Sequence, residues 1–429
     1  MFLIKSLINI RPANVNVYKH LTNNYSALSM SEIKNTIRKA RYDGRTKKRK
    51  WEDRRADQGA GLDMKQARTE PFERVKRRKF AVLMAYSGVN FYGMQRNPQM
   101  PTIEESFFNA LLKADFITQD GYNQVQTVQF QRAARTDKGV SAARQIISMK
   151  LPEAFEIEKV NEHLPETIRV FGSRRVTKGF NSKVQCDART YMYMLPTVAF
   201  APFDEEVSQE TYTLSDDRYE KIKALLGKFV GTKNFHNYTS KKRYNDPSAS
   251  RYIMSFTCDP PIKINGVEFV VVKVKGQSFM LHQIRKMVGI TLAVIRGHTT
   301  EETFDKSFLK EKVNVPRAPG LGLVLEYVHY DRYNARYGSD HDKLLWEEEN
   351  ETVEAFKKKY IYPTIVDTEI KDKAMIDWLT CLMIHRYDIP DETEANDDES
   401  VESGDEVEVQ KKDEDNISDN DGNKISENK

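Results

Sequence analysis

In the run Arg132-Ala133-Ala134-Arg135-Thr136-Asp137-Lys138-Gly139-Val140-Ser141-Ala142, a single carboxylate stands in a polar stretch among Arg132, Arg135 and Lys138. An apolar run follows directly. A carboxylate so surrounded should stay ionised. Ionised, it can serve as nucleophile or general base, while the flanking cations can contact a phosphate backbone. The chemistry that fits is an acid acting on a group within a nucleic acid. The same residues also fit an Asx-type turn in which Asp137 caps the loop and Gly139 supplies positive φ. On spacing alone the turn is the favoured reading.

Three further segments could contribute. Tyr86-Ser87-Gly88-Val89-Asn90-Phe91-Tyr92-Gly93-Met94-Gln95-Arg96 reads as a strand end followed by a glycine-punctuated turn. Its aromatics could stack bases or simply pack the turn, and Gln95 and Arg96 could meet RNA. In Arg189-Thr190-Tyr191-Met192-Tyr193 the two-residue period of a strand puts Arg189, Tyr191 and Tyr193 on one face. In the run from Gly276 to Gly289, Leu281, Ile284 and Val288 share a helical face, so Arg285 points elsewhere and could reach a carboxylate. His282 has no His or carboxylate at i+3 or i+4, which argues against a metal site there.

The elements that must position these residues can be read from periodicity. The apolar run 80–86 predicts a buried strand, and a helix is predicted over 102–113 with Thr102 as N-cap and Glu105 at the capping-box position. Strands are predicted over 145–149, 168–176, 190–195, 251–258, 267–274 and 323–329. Helices are predicted over 216–229, 281–296, 301–309, 340–360 and 369–385, the last two separated by Tyr362-Pro363. Strands grouped with helices, without regular alternation, indicate an α+β domain with a mixed or antiparallel sheet.

Composition narrows the class. The chain has 429 residues with 67 Lys+Arg against 63 Asp+Glu, 39% hydrophobic residues and three cysteines. The charge is concentrated in the ends: residues 391–429 hold about 16 acids against about 4 bases, and residues 31–79 carry a surplus of about ten positive charges. No apolar run reaches the length of about 18 residues that a membrane span requires. Cys186, Cys258 and Cys381 lie far apart, which fits neither a disulfide scaffold nor a zinc finger and suits a reducing compartment. There is neither a G-x-G-x-x-G after a strand nor a P-loop.

Taken together, the four segments resemble, in order and wording, the TruA-type tRNA pseudouridine synthases. Ala134 to Ala142 is similar to the family's catalytic loop. Phe235-His236-Asn237-Tyr238 and Arg317-Ala318-Pro319-Gly320-Leu321-Gly322-Leu323 match two further motifs. The resemblance covers about 80–330, and the basic arm and C-terminal helices are similar to the eukaryotic multisite branch. It implies two pseudo-symmetric α+β halves sharing a central, mostly antiparallel sheet with the active site in a cleft. It implies Asp137 as the essential aspartate, Tyr191 as the tyrosine against the target base, and Arg285 as the arginine paired with Asp137. It further implies Arg135 as the residue that displaces the base, with Thr136, Lys138, Gln95, Arg96 and His282 in RNA or base binding. No cofactor or metal is implied, because the reaction is an isomerisation. Met94 stands where the family usually has Trp, and Tyr238 where it often has Phe.

The expected organisation is a disordered basic arm over 1–79, the catalytic halves over 80–195 and 196–330, appended helices over 331–390, and a disordered acidic tail over 391–429. The expected partner is tRNA, with small nuclear RNA and mRNA as further candidates and no membrane. A monomer is expected, since the appended helices would cover the dimer contact of bacterial relatives. The basic, acid-free first thirty residues read as a mitochondrial transit segment, and the cluster after Met30 as a nuclear import signal or RNA-binding arm. Dual targeting from starts at Met1 and Met30 is therefore expected. The competing class is a catalytically silent RNA-binding protein or chaperone on the same fold; base excision, which releases a free base, is the rival within enzymes.

Overall fold

The structure is a computed structural model and describes residues 75–388. The transit-like segment, the basic cluster after Met30 and the acidic tail lie outside the described residues. Among the described residues, no helix is long and apolar enough to cross a membrane.

The chain builds the motif β-α-β-β-α-β twice. The first copy runs β1 (Arg77–Tyr86), α1 (Ile103–Lys113), β2 (Gln131–Arg132), β3 (Ser141–Pro152), α2 (Ile157–Asn161) and β4 (Ile168–Arg175). The second runs β5 (Ala188–Pro196), α3 (Asp216–Gly227), β6 (Ser250–Cys258), β7 (Val267–Gly276), α4 (Gln283–Arg296) and β8 (Leu323–His329). Strands pair in the order β4-β1-β3-β2 in the first and β8-β5-β7-β6 in the second, all antiparallel. This is the split β-α-β arrangement repeated. The copies join where β3 lies parallel to β8 through Ser141 and Ala142 against Val324 and Leu325. A single mixed, mostly antiparallel sheet results, in agreement with the expected α+β class.

Local chemistry explains most boundaries. The Thr102 hydroxyl accepts the Glu105 amide N–H at 3.3 Å and opens α1, whose Phe107, Phe108 and Leu111 are buried. Gly297 at φ 89° closes α4. Expected strands and helices are present, several with shifted ends. The first strand begins at Arg77, not at 80, because Lys79 is buried there and its ammonium donates to the Gln129 carbonyl at 2.7 Å. The strand 188–196 pairs with β7 and β8, so it opens the second motif, whereas the expected division at 195 placed it in the first half.

The C-terminal helices differ from expectation. Residues 340–349 form turns, with Trp346 at φ 58°, a value no helix accommodates. The helix then runs from Asn350–Phe356 through a π-helical turn at Lys357–Ile361 into Tyr362–Asp372. Pro363 does not break it, because it sits in the first turn after the π turn, where its missing N–H is tolerated. The break falls at Lys373, φ 52°, before Ala374–Met383. A short helix at Asp331–Tyr337 was not foreseen.

Candidate active site

Residues 133–140 connect β2 to β3 at the seam between the two motifs, and nearly every turn of their backbone is fastened. The Gln145 amide, fully buried on β3, accepts from Ala134 N–H at 3.2 Å and donates to the Ala134 carbonyl at 2.8 Å. The Thr136 and Tyr86 hydroxyls are 2.8 Å apart and buried. Met94 N–H donates to the Thr136 carbonyl at 3.1 Å, and Gly139 N–H to the Phe91 carbonyl at 3.2 Å, so the turn after β1 and the loop brace each other. Gly93 allows this approach: at φ 87°, a Cβ there would stand 2.8 Å from the Thr136 oxygen.

The turn reading holds for the backbone. Gly139 has φ 76°, and Val140 N–H closes onto the Asp137 carbonyl at 3.1 Å. It does not account for the side chain. The half-buried Asp137 carboxyl is pushed above the usual carboxylate range by burial, while the positive charges of Arg285 and then Arg317 oppose the rise. This corrects the expectation that its sequence neighbours hold it ionised. Arg132 bonds instead to Glu104, Lys138 lies 4.3 Å from the centre of the exposed Tyr92 ring, and Arg135 is exposed. The cations that act on Asp137 come from about 150 and 180 residues further along the chain.

Arg285 is fixed by a reciprocal pair: its Nε donates to the Ala318 carbonyl at 2.7 Å, and Ala318 N–H donates to the Arg285 carbonyl at 3.2 Å. Tyr191 is buried on β5, with Phe279 edge-on at 5.3 Å between ring centres. Burial drives its phenol well above the ordinary value, Asp137 being among the charges that reinforce the rise. The phenol therefore keeps its proton at neutral pH and can donate it. Tyr193, on the same strand face, donates to the Pro319 carbonyl at 2.6 Å. Asp137 is thus within electrostatic reach of both Arg285 and Tyr191.

The other nominated residues divide. Thr136 fastens the loop. Lys138 and Arg135 are exposed at its rim, and Gln95 is half-buried. Arg96 lies in a separate network: its Nε pairs with Glu105 at 2.6 Å, its N–H donates to Glu104, and its guanidinium covers the Tyr122 ring at 4.3 Å. His282, at φ 60°, caps the start of α4 and accepts from Arg317 Nη1 at 3.2 Å. Phe235 to Tyr238 form a packing junction, in which Asn237 bonds to Ser307, Glu311 and Val313. The hydroxyl that distinguishes Tyr238 from Phe is 2.6 Å from the Ser307 hydroxyl.

Sequence reading missed the fasteners. Arg189 donates from Nε and Nη2 to the Ala133 carbonyl at 3.0 and 2.7 Å, and from Nη1 to the Gln277 carbonyl at 3.0 Å, tying the loop to the end of β7. Gln145 could have been flagged as the polar residue ahead of Ile146-Ile147. Tyr86, whose phenol burial raises to about 12, offers a direct check. Tyr86→Phe is expected to cost about 1 kcal/mol of stability, the order of one hydrogen bond, and to slow the reaction several-fold by loosening Thr136. Urea unfolding and single-turnover rates on the same preparations measure both.

The arrangement offers a titratable carboxylate on which two guanidiniums act, within electrostatic reach of a protonated phenol that has an aromatic ring against it. A family model described as tRNA pseudouridine synthase matches residues 226–331, which contain Arg285 and Arg317 but not Asp137. Among curated relatives, a Mus musculus protein named pseudouridylate synthase 1 homolog is 50% identical over 324 residues, 74% of this chain and 77% of that one. Its Homo sapiens counterpart is 50% identical over 312 residues, 71% and 73% of the two chains. A Yarrowia lipolytica protein named tRNA pseudouridine synthase 1 is 33% identical over 425 residues, 77% and 80%.

Proposed function

Since the chain belongs to the TruA-type tRNA pseudouridine synthase family and is a pseudouridine synthase, an isomerase, we propose that it converts uridines of the tRNA anticodon stem-loop region, at several sites, to pseudouridine through Asp137. What supports this reading is that the charge of Arg285, from α4, acts on Asp137, and that Asp137 in turn acts on the buried phenol of Tyr191, from β5. In the reaction the N1–C1′ bond breaks, the base turns, and a C5–C1′ bond forms. The C5 proton is lost and N1 gains one.

In this mechanism ionised Asp137 acts on the target ribose, and Arg285 orients it. Tyr191 packs against the freed base and relays a proton. Arg135, exposed at the loop rim, takes the place of the uridine in its stack, a step any enzyme acting on a stacked base requires. Thr136 holds the loop, and Lys138, Gln95 and His282 are the residues proposed to meet flanking nucleotides. Arg96, held by Glu105 and Tyr122, would act on RNA only through the turn that it stabilises. Tritium release from C5-labelled uridine in bulk unmodified tRNA tests the function; binding without release would bring forward the silent RNA-binding reading.

The titration of Asp137 has a signed consequence. Activity needs the carboxylate, so the rate should fall as pH drops through its raised pKa. Arg285→Met removes the larger of the two charges opposing that rise, and the acid limb of single-turnover rate against pH should then move to higher pH. An unmoved limb would separate Arg285 from the titration of Asp137.

Small nuclear RNA and mRNA are proposed as further substrates, and the monomer as the working form. Nuclear and mitochondrial forms starting at Met30 and Met1 are proposed from the two basic segments. Fluorescent fusions beginning at each methionine test this, and identical distributions would refute it.

A further inference from the structure

Two guanidinium groups act on one carboxylate at the seam between the two motifs. We propose that Arg317 grips a phosphate flanking the target uridine, with His282 holding its guanidinium in place. The inference rests on the reading of the cleft as a uridine site.

The geometry sets Arg317 beside Arg285 by construction. Residues 316–320 are pressed against the first turns of α4: a Cβ on Gly289 would lie 2.0 Å from the Pro316 oxygen, and one on Gly320 would lie 3.7 Å from Arg285 Cζ. The Arg285–Ala318 pair and the Tyr193 hydroxyl on the Pro319 carbonyl lock the segment on both sides of its bend. Arg317, adjacent to Ala318 in the chain, therefore delivers its charge to the same carboxylate as Arg285.

His282 holds it from the other side. The turn leading into α4 is closed by Gln283 N–H on the Met280 carbonyl at 3.2 Å and by Met280 N–H on the Gln283 side chain at 2.9 Å. This keeps His282 at φ 60°, ψ 0°, a strained conformation for a residue with a Cβ, and such strain persists where function fixes it. Arg317 Nη1 stands 3.2 Å from His282 Nδ1 and 3.5 Å from its Nε2, so the imidazole flanks the guanidinium. Both guanidiniums belong to half-exposed residues. In a site for a polyanion, a guanidinium is the side chain best shaped to hold a phosphate.

The test uses the full chain and an anticodon stem-loop with one target uridine, made with an ordinary backbone or with a neutral methylphosphonate on either side of that uridine. Arg317→Met is expected to weaken binding roughly tenfold and to flatten the slope of log affinity against log salt by about 0.7 to 0.9. At a pH above the acid limb, where Asp137 is ionised with or without Arg317, the saturating single-turnover rate should fall less than the affinity. One of the two methylphosphonates should weaken binding by the intact protein to a similar degree, yet weaken Arg317→Met no further. Arg317→Lys should keep the salt slope while losing several-fold in affinity, which separates charge from misfolding. Full additivity of Arg317→Met with both methylphosphonates, or a loss confined to the saturating rate, would overturn the proposal. Absence of tritium release by the intact protein would instead count against the uridine reading itself.

Discussion

Asp137→Ala should lower tritium release by at least about a thousandfold, the scale on which removal of an essential nucleophile or base acts. RNA binding should hold or tighten, because the substitution removes a negative charge close to Arg285 and Arg317. Asp137→Asn keeps the shape and should be as inactive. Binding by filter retention and release from labelled tRNA, measured together, distinguish the possibilities. Loss of both would mean that Asp137 serves the loop turn, as the Gly139 geometry alone would allow. Retention of both would place the chemistry on another residue.

Arg144→Met should have the largest effect on stability. Arg144 is 6% exposed on β3, on the stretch just after the loop, and it pairs with Glu326 of β8 at 3.6 Å and with Glu354 of the C-terminal helix at 3.1 Å. Lys357, also buried, bonds to the same two carboxylates at 2.6 and 3.1 Å. Four charges thus join the start of β3 in the first motif, the last strand of the second and the appended helix. Removing one guanidinium leaves two carboxylates to one ammonium in a largely buried setting, which costs about 3 kcal/mol. The urea midpoint should fall at unchanged slope. A change below about 1 kcal/mol would mean that water reaches the quartet and that the helix is held by packing alone.

The same quartet shows where reading the sequence stops. Arg144 and Glu326 are 182 positions apart, and nothing in either segment marks them as partners. The C-terminal helix boundaries were misread for a local reason: Tyr362-Pro363 is a valid stop signal in a regular helix, but a π turn ahead of it places the proline where a helix begins. Interior strands and α4 were legible because burial imposes a period on their apolar residues. Their ends were less so, because ends are set by caps and by partners across the sheet.

The sequence by itself determined the α+β class from period, and the candidate residues through the resemblance of its motifs: period put Tyr191 on a strand face and Arg285 off the apolar side of a helix, while the motif set marked Asp137 in its loop. Tertiary structure decided which charges meet. Asp137 has Arg135 and Lys138 close by in the chain, yet Arg285 and Arg317 act on it while Lys138 turns to Tyr92 and Arg132 to Glu104. The physical reason is the seam. Sheet order brings the start of β3 beside β8, which follows residues 316–320, and so carries distant guanidiniums to the loop. Electrostatic interaction depends on distance and burial in the folded chain, and spacing along the sequence fixes neither.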